Sequence, residues 1–187
     1  MPIRPRSETK LLDAADDLLF TRGIAATSVD EILERAGVSA ATLYRGYTSK
    51  EALVAAALVR RHETWIAVWD AAVERARTPV DKVLAVFDAL DEFQRRPDGS
   101  RWCAFLGTAA EYADAPPEIT AVVRTETETY RTRLAALAAP VVGVRADAVA
   151  DELLLVVSGA LAMRLRDPDH GTGTARTIAE ALLDTGS

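Results

Sequence analysis

The chain has 187 residues, of which 49% are hydrophobic and 27% are charged, and its formal net charge is −6. These values are those of an ordinary globular protein with enough apolar material for a core. The single cysteine, Cys103, excludes an intramolecular disulfide and a cysteine-based zinc cluster. No apolar run approaches the roughly 18–20 residues that span a bilayer, and the first residues lack a secretory signal. We therefore expect a cytoplasmic protein without a metal, cofactor or membrane segment.

The apolar periodicity predicts a helical chain, because no segment alternates like a strand and helix-forming residues dominate throughout. The first four helices are predicted over about 7–21, 29–36, 40–46 and 50–77. Ser7 is the expected N-cap of the first helix, and Ser28 with Glu31 forms a capping box at the second. Gly37 can adopt the left-handed conformation that ends a helix, and Ser39 can cap the third.

Five further helices are predicted over about 79–96, 102–112, 117–137, 146–166 and 173–184. The segment from Pro140 to Val144 is expected to break the chain between two of them. The expected fold is all-α, with a three-helix helix-turn-helix DNA-binding domain in residues 1–53. Residues 54–187 form a helical ligand-binding and dimerisation domain. The boundary lies inside the long fourth helix, which would join the two domains mechanically.

Two helices joined by a short turn that contains glycine, here the second and third, form the helix-turn-helix pattern. In that motif the second helix enters the major groove with its N-terminal residues against base edges. Small side chains at residues 39–42 permit close approach, and their methyl groups can contact thymine methyl groups. Side chains further along, and the start of the second helix, can reach phosphate oxygens. The candidate DNA-contacting residues are Thr27, Ser28, Ser39, Ala40, Ala41, Thr42, Tyr44, Arg45 and Lys50.

The charge of this segment gives the DNA hypothesis little support. Residues 1–50 carry seven basic and seven acidic side chains, so affinity would depend on local placement of positive groups and would fall with salt. Arg4 and Arg6 precede the first helix and can form a flexible arm that reaches the minor groove. From the residues alone, the helix pair is equally consistent with simple packing, in which Tyr44 belongs to the core and Lys50 is a solvated helix start.

Residues 11–53 resemble the DNA-binding domain of the tetracycline-repressor (TetR) family. The motifs that agree in order and spacing are Leu11–Ala15, Gly23, Thr27–Ile32, Ala36–Ser39, Thr42–Tyr44, Tyr47 and Ser49–Leu53. The resemblance implies a homodimeric repressor, with phosphate contacts by Thr27, Tyr44 and Lys50 and base contacts from residues 39–42. Gly46 departs from the family pattern, which usually has a phosphate-binding side chain at this place.

The remainder of the chain resembles the family only in length, helical content and helix order, so it implies no particular ligand. Its middle helices are rich in aromatic residues, and aromatic lining with a few polar groups is typical of small-molecule pockets. Glu111 is the candidate polar contact, and the expected inducer is a small, largely apolar or aromatic molecule. The candidate ligand-binding residues are Trp65, Trp69, Phe87, Trp102, Cys103, Phe105, Leu106, Glu111 and Tyr130. The alternative is that most of these side chains simply fill the core.

The two C-terminal helices, about 146–166 and 173–184, are the expected dimer interface. The first is apolar around much of its surface and has small residues that permit close approach, so we expect it to be buried on more than one side. The resemblance implies that both helices form half of an intersubunit four-helix bundle. The alternative is an internal core helix.

The predicted mechanism is release of a dimeric repressor from a palindromic operator. The dimer would hold two recognition helices about one DNA turn apart. An inducer that prefers a differently spaced conformation would shift the population off DNA. An enzyme is not expected, because no paired Glu-x-x-His motif or other catalytic signature occurs. The alternative is a helical interaction module that has lost specific DNA binding, which Gly46 and the neutral N-terminal segment would suit.

Overall fold

A computed structural model describes residues 3–96 and 103–184, and within these ranges the only regular secondary structure is helical. The predicted all-α fold is therefore confirmed. The helices are α1 Pro5–Arg22, α2 Val29–Ala36, α3 Ala40–Gly46, α4 Lys50–Arg75, α5 Pro79–Gln94, α6 Ala104–Glu111, α7 Pro117–Val142, α8 Ala146–Met163 and α9 Gly173–Asp184. Apart from α7, their ends lie within three residues of the predicted ones.

The start of α1 differs from the prediction. Arg4, in an extended conformation, is the N-cap, and Pro5 occupies the first helical turn. Proline suits that position because its missing N–H would have no partner there and its φ is already helical. Ser7 therefore lies inside the helix, and the prediction that it is the N-cap was wrong. Arg6 is helical as well, so it does not belong to the flexible arm that the sequence suggested.

The α7 helix also differs, since it continues through Pro140 to Val142 and only then gives way to a short 3-10 turn, Gly143–Arg145. The predicted helix end near Leu137 was therefore wrong, whereas the break expected between Pro140 and Val144 is present and begins at Gly143. Proline removes one helical hydrogen bond, but Pro140 is exposed and lies in the last turn, where water can satisfy the carbonyl that has lost its partner. The chain turns at Gly143, whose φ is +57°.

The chain forms two compact units, and the division falls inside α4 and again inside α7. The first unit comprises the described residues up to Glu63 together with those from Cys103 to Arg124; the second comprises the remaining described residues. Residues beyond 53 thus pack with the N-terminal helices. The separation of DNA-binding and ligand-binding functions at residue 53 concerns function and stays a prediction.

The core of the first unit holds α1, α2 and α3 together. Leu11 and Leu19 of α1, Ile32 of α2, Leu43 of α3 and Leu53 of α4 are almost completely buried. Burial of each such side chain contributes about 1.5–3 kcal/mol, so α3 is fixed from its inner face although it is only two turns long. In the same unit, Arg61 and Asp16 form a buried ion pair of 2.9 Å between α4 and α1.

The second unit has a separate core built from α4, α5, α7, α8 and α9. Its most buried side chains include Trp69, Phe87, Leu134, Leu153 and Ala179. A buried polar network lies at its edge, where Arg164 binds Asp91 at 2.7 Å and Thr172 donates to the other carboxylate oxygen at 2.7 Å. This network fixes the segment between α8 and α9 against α5. Across the described residues, no helix is both long enough and apolar enough to cross a bilayer.

Candidate functional site

The N-terminal end of α3 is presented to solvent by a buried anchor. Ser39 is the N-cap, and its hydroxyl accepts from the backbone N–H of Thr42 at 3.3 Å. Ala40 and Ala41 are exposed, whereas Leu43 on the opposite face is fully buried. The cap prediction is confirmed, and the exposed end consists of small and hydroxyl side chains that allow close backbone approach.

Two larger residues of α3, Tyr44 and Arg45, lie beside this exposed end. The Tyr44 side chain is 55% exposed, so the interpretation of Tyr44 as a core residue was wrong. Tyr47 is the aromatic residue that enters the core, with 8% exposure, and its hydroxyl donates to Glu8 at 3.3 Å. Burial, together with the Glu8 carboxylate, raises the pKa of Tyr47 to about 12. The aromatic ring available on this surface is therefore that of Tyr44.

Thr27 is not presented to solvent, which differs from the prediction of a phosphate contact. Its side chain is 1% exposed, and its hydroxyl points to the carbonyls of Gly23 and Leu18 at 2.9 and 3.3 Å. A hydroxyl has one proton to donate, and here it is directed to the end of α1. We therefore omit the Thr27 side chain from the candidate surface.

Ser28 is exposed but has a carboxylate beside it. The Glu31 side chain accepts from the Ser28 backbone N–H and hydroxyl, both at 2.8 Å, and the capping box is present as predicted. The Ser28 backbone N–H, the strongest contributor, lowers the pKa of Glu31. Glu31 thus occupies the donors that a phosphate would use at this helix start.

Lys50 begins α4 and is half-buried. Its ammonium group donates to the carbonyl oxygen of Ile24 in the loop between α1 and α2. An ammonium group has three donors, so Lys50 can bind this carbonyl and still offer hydrogen bonds to an anion.

The packing around position 46 explains why a glycine fits there. A Cβ atom at this position would lie 3.1 Å from the Cγ2 atom of Ile3. Ile3 packs against the first core, so its side chain occupies the space that a side chain at position 46 would need.

Four of the predicted ligand-binding residues, Trp65, Trp69, Phe87 and Tyr130, share the core of the second unit. Trp65 stacks on Tyr130 with ring centroids 5.7 Å apart, and Trp69 lies 5.1 Å from the same ring. The indole N–H groups of both tryptophans are buried without a hydrogen-bond partner in the described part of the chain. Such groups cost free energy unless an acceptor reaches them. We name Trp65, Trp69 and Tyr130 the aromatic cluster.

The other predicted ligand residues lie elsewhere. Cys103, Phe105 and Leu106 belong to the first unit, and Trp102 falls outside the described residues. Glu111 is exposed, and its carboxylate accepts from the backbone N–H groups of Ile24 and Ala25. Within either compact unit, therefore, the predicted set does not form a single site.

Glu126 is a candidate that the sequence analysis missed. It lies one helical turn before Tyr130 on α7 and is half-buried. Desolvation raises the pKa of its carboxyl group to about 7, while a hydrogen bond from Thr127 opposes the shift. A carboxyl group whose pKa is strongly raised by desolvation is a candidate for a functional site. The spacing of four residues from Tyr130 is the signal that could have indicated it.

The α8 helix buries one face within the chain and exposes another. Leu155, Gly159, Ala162 and Met163 follow one another at helical spacing on the exposed face. With residues of α9, this face borders an apolar groove of about 550 Å³. Ile178 of α9 is 47% exposed in the same groove. The expectation that α8 is buried on more than one side is therefore not met within a single chain.

An all-helical chain with a helix-turn-helix near its N-terminus matches known regulators. The model of the bacterial regulatory proteins of the tetR family matches residues 11–57. A TetR-family transcriptional regulator from Streptomyces coelicolor has a similar structure, with a TM-score of 0.86, 28% identity and coverage of 97% of this chain and 96% of that one. A TetR transcriptional regulator from Streptomyces avermitilis is similar at a TM-score of 0.81 and 27% identity, over 96% and 97% of the two chains.

The sequence relatives agree with this assignment over a shorter stretch. The HTH-type transcriptional regulator YvkB of Bacillus subtilis is 45% identical over 56 residues, which are 30% of this chain and 29% of YvkB. The match to the curated relatives thus spans less than a third of their length. The chain is therefore similar to the TetR family of bacterial regulatory proteins, in sequence over residues 11–57 and in fold over nearly its whole length.

Proposed function

We propose that this protein is a ligand-responsive transcriptional repressor that binds a palindromic operator as a homodimer and leaves it when a small molecule binds. The observation that carries the proposal is the exposed N-terminal end of α3, held by a buried inner face. The surface comprises Ser39, Ala40, Ala41, Thr42, Tyr44, Arg45 and Lys50. We name these residues the α3 surface.

The chemistry of the α3 surface suits the major groove of DNA. Residues 39–42 offer methyl and hydroxyl groups, which can contact thymine methyl groups and base edges. Tyr44, Arg45 and Lys50 offer phenol, guanidinium and ammonium donors, which can bind phosphates and fix the register. Because the N-terminal segment is neutral overall, we expect these few donors to supply most of the electrostatic attraction.

The proposed dimer uses the exposed faces of α8 and α9. Leu155 is 74% exposed and Leu165 is 55% exposed, and exposed apolar faces of this kind mark association sites. Small residues at Gly159 and Ala162 permit the close approach of a second helix. A second copy of the chain suits this face because a two-fold interface pairs identical patches.

The proposed inducer binds at the aromatic cluster. A planar, largely apolar molecule with a hydrogen-bond acceptor would satisfy the indole N–H groups of Trp65 or Trp69 and stack on aromatic rings. Phe87 is completely buried in the surrounding core, so we assign it a packing role. Binding would favour a conformation with lower operator affinity.

Selection of bound fragments from random and upstream DNA tests the DNA part of the proposal. The selected sites should be palindromic, and affinity should fall as salt rises. Ala40→Glu adds a negative charge to the α3 surface and should weaken binding at least tenfold, by repulsion from phosphates. Ala67→Glu adds the same charge to an exposed position of α4 and serves as the matched control. Failure to select any sequence would favour an interaction module.

Sedimentation tests the dimer. The wild-type protein should sediment at twice the chain mass of 20.1 kDa. Ile178→Glu should shift it toward the monomer, because it introduces a charge into the apolar groove. Val144→Glu makes the same change at a fully exposed residue outside the groove and should leave the dimer intact. Equal behaviour of the two variants would place the interface elsewhere.

Tryptophan fluorescence tests the inducer site. A panel of planar heteroaromatic compounds should include some that quench the emission and release operator DNA. Trp69→Phe keeps a ring but removes the donor, so it should weaken those compounds more than it weakens acceptor-free analogues. Compounds that release DNA without any change in fluorescence would argue against the aromatic cluster.

A further inference from the structure

The α1–α2 loop, residues 23–28, receives a carboxylate from a distant helix. Glu111, the last residue of α6, accepts from the Ile24 backbone N–H at 3.0 Å and from the Ala25 backbone N–H at 2.7 Å. One carboxylate oxygen serves each amide, so the contact is bidentate. Charge-assisted hydrogen bonds of this kind are about twice as strong as neutral ones.

The backbone of the loop is shaped to admit this carboxylate. Gly23 has a φ of +101°, and a Cβ atom there would lie 3.3 Å from the nearer Glu111 carboxylate oxygen. A carboxylate at the C-terminal end of a helix is in the unfavourable position of the helix dipole. The hydrogen bonds from the two backbone N–H groups of the loop offset this unfavourable interaction with the dipole.

Ile24 of this loop also binds a second charged side chain, through its backbone carbonyl. The Ile24 carbonyl accepts from the ammonium group of Lys50, and the Ile24 N–H donates to Glu111. The Ile24 side chain is 3% exposed and packs in the first core, so its backbone is fixed between these partners. A continuous polar path therefore runs from the end of α6 through one residue to Lys50 of the α3 surface.

We propose that Glu111 is a positioning residue for operator binding, which holds the α1–α2 loop and through Ile24 orients Lys50 toward a phosphate. The inference rests on the proposed DNA-binding function. Glu111 thus has a role different from the ligand contact that the sequence suggested. Movement of the end of α6 would withdraw the carboxylate, release the loop and reduce the phosphate contact of Lys50.

The test compares Glu111→Gln with Glu74→Gln, which makes the same change at an exposed residue of α4. Binding is measured by fluorescence anisotropy on the operator selected with the wild-type protein. Glu111→Gln should weaken binding about fivefold, because the amide offers one acceptor oxygen and no charge to two N–H groups. Glu74→Gln should bind as the wild type does.

Salt dependence separates positioning from general loosening of the fold. Loss of a phosphate contact reduces the slope of log K against log salt by about 0.9 per phosphate, so Glu111→Gln should show a shallower slope than the wild type. In a Lys50→Gln background, Glu111→Gln should have little further effect, since the two changes act on one contact. Additive effects with an unchanged slope would overturn the inference.

Hydrogen exchange gives a readout that does not involve DNA. The Ile24 and Ala25 amides should be protected in the wild type and exchange faster in Glu111→Gln, while the core amides of α1 keep their rates. Unchanged exchange, or equal operator affinity in the two proteins, would overturn the role of Glu111. Absence of DNA binding by the wild type would instead overturn the proposed function and this inference with it.

Discussion

The two compact units carry their candidate functional groups in opposite ways. In the first unit these groups form the α3 surface, and none of them belongs to the buried core. In the second unit the aromatic cluster belongs to the core itself. Function and stability are therefore separable in the first unit, whereas a change to the candidate inducer site also disturbs the packing around it.

The largest effect on stability is expected in the second unit, at the buried network beside α9. Asp91→Ala should lower the free energy of unfolding by about 3 kcal/mol, because it leaves the buried Arg164 guanidinium without its counter-ion. Burial lowers the pKa of Arg164, and Asp91 opposes that shift. Urea unfolding measures the loss.

A matched change at a more exposed ion pair provides the control. Asp88 pairs with Arg176 at 2.7 Å, but its side chain is 59% exposed, and such pairs contribute about 0–1 kcal/mol. Asp88→Ala should therefore cost at most about 1 kcal/mol. Equal losses in the two variants would show that burial does not distinguish them.

The next largest effect on the free energy of unfolding is expected at Glu126, and this effect depends on pH. Its pKa of about 7 lies above the ordinary 4.5, so the unfolded chain releases this proton first. Its contribution to stability is present below about pH 4.5 and is lost as the pH rises through about 7. The shift corresponds to at most about 3 kcal/mol, and to about 2 kcal/mol after solvent screening of the half-buried group.

Urea unfolding of the wild type and of Glu126→Gln at pH 5 and pH 8 measures this effect. The amide does not titrate, so the variant should gain about 2 kcal/mol relative to the wild type between these values. A constant difference between the two proteins would mean that the Glu126 carboxyl group titrates normally.

The stability of the first unit should be sensitive to substitution of the glycine in the turn between α2 and α3. Gly37 has a φ of +63° between α2 and α3, and a Cβ in that conformation costs about 1 kcal/mol. Gly37→Ala should lower the unfolding free energy by that amount, as measured by thermal unfolding. Gly171→Ala, at a glycine whose φ is not positive and which has open space around it, should change it by less than about 0.5 kcal/mol.

The smallest effect on stability is expected at Tyr44, where the effect on function should be large. Tyr44→Ala removes an exposed ring, so unfolding should change by less than about 0.5 kcal/mol. Operator affinity should fall about tenfold, because the proposed contact of the Tyr44 phenol with a DNA phosphate is lost. A substantial loss of stability would show that the surface and the core of the first unit are not separable.

Local signals were enough to predict the helices that carry the candidate surface. Ser28, Gly37 and Ser39 act on neighbours three or four residues away, and the structure confirms all three roles. Residues with distant partners could not be predicted in this way. Glu111 binds amides 86 and 87 residues away, and no spacing in the sequence indicates that contact.

Burial explains the other differences from the sequence analysis. Thr27 has the residue type of a phosphate contact, but the end of α1 covers it. Pro140 has the residue type of a helix breaker, but exposure in the last turn makes it tolerable. The spacing of Glu126 from Tyr130 places it on one helix face but does not indicate its raised pKa, which arises from the packing around it. Residue type alone therefore did not predict the environments of these three residues, because each environment depends on packing that the sequence pattern does not show.

Affinity cleavage is the most direct test of the claim that the N-terminal end of α3 lies in the major groove. Ala41→Cys, in a Cys103→Ser background, introduces a thiol to which an iron–EDTA group is attached. Cleavage of the selected operator should occur at two symmetric positions whose centres are about one helical turn, roughly 34–36 Å, apart. Diffuse cleavage along the operator, or none, would contradict the account.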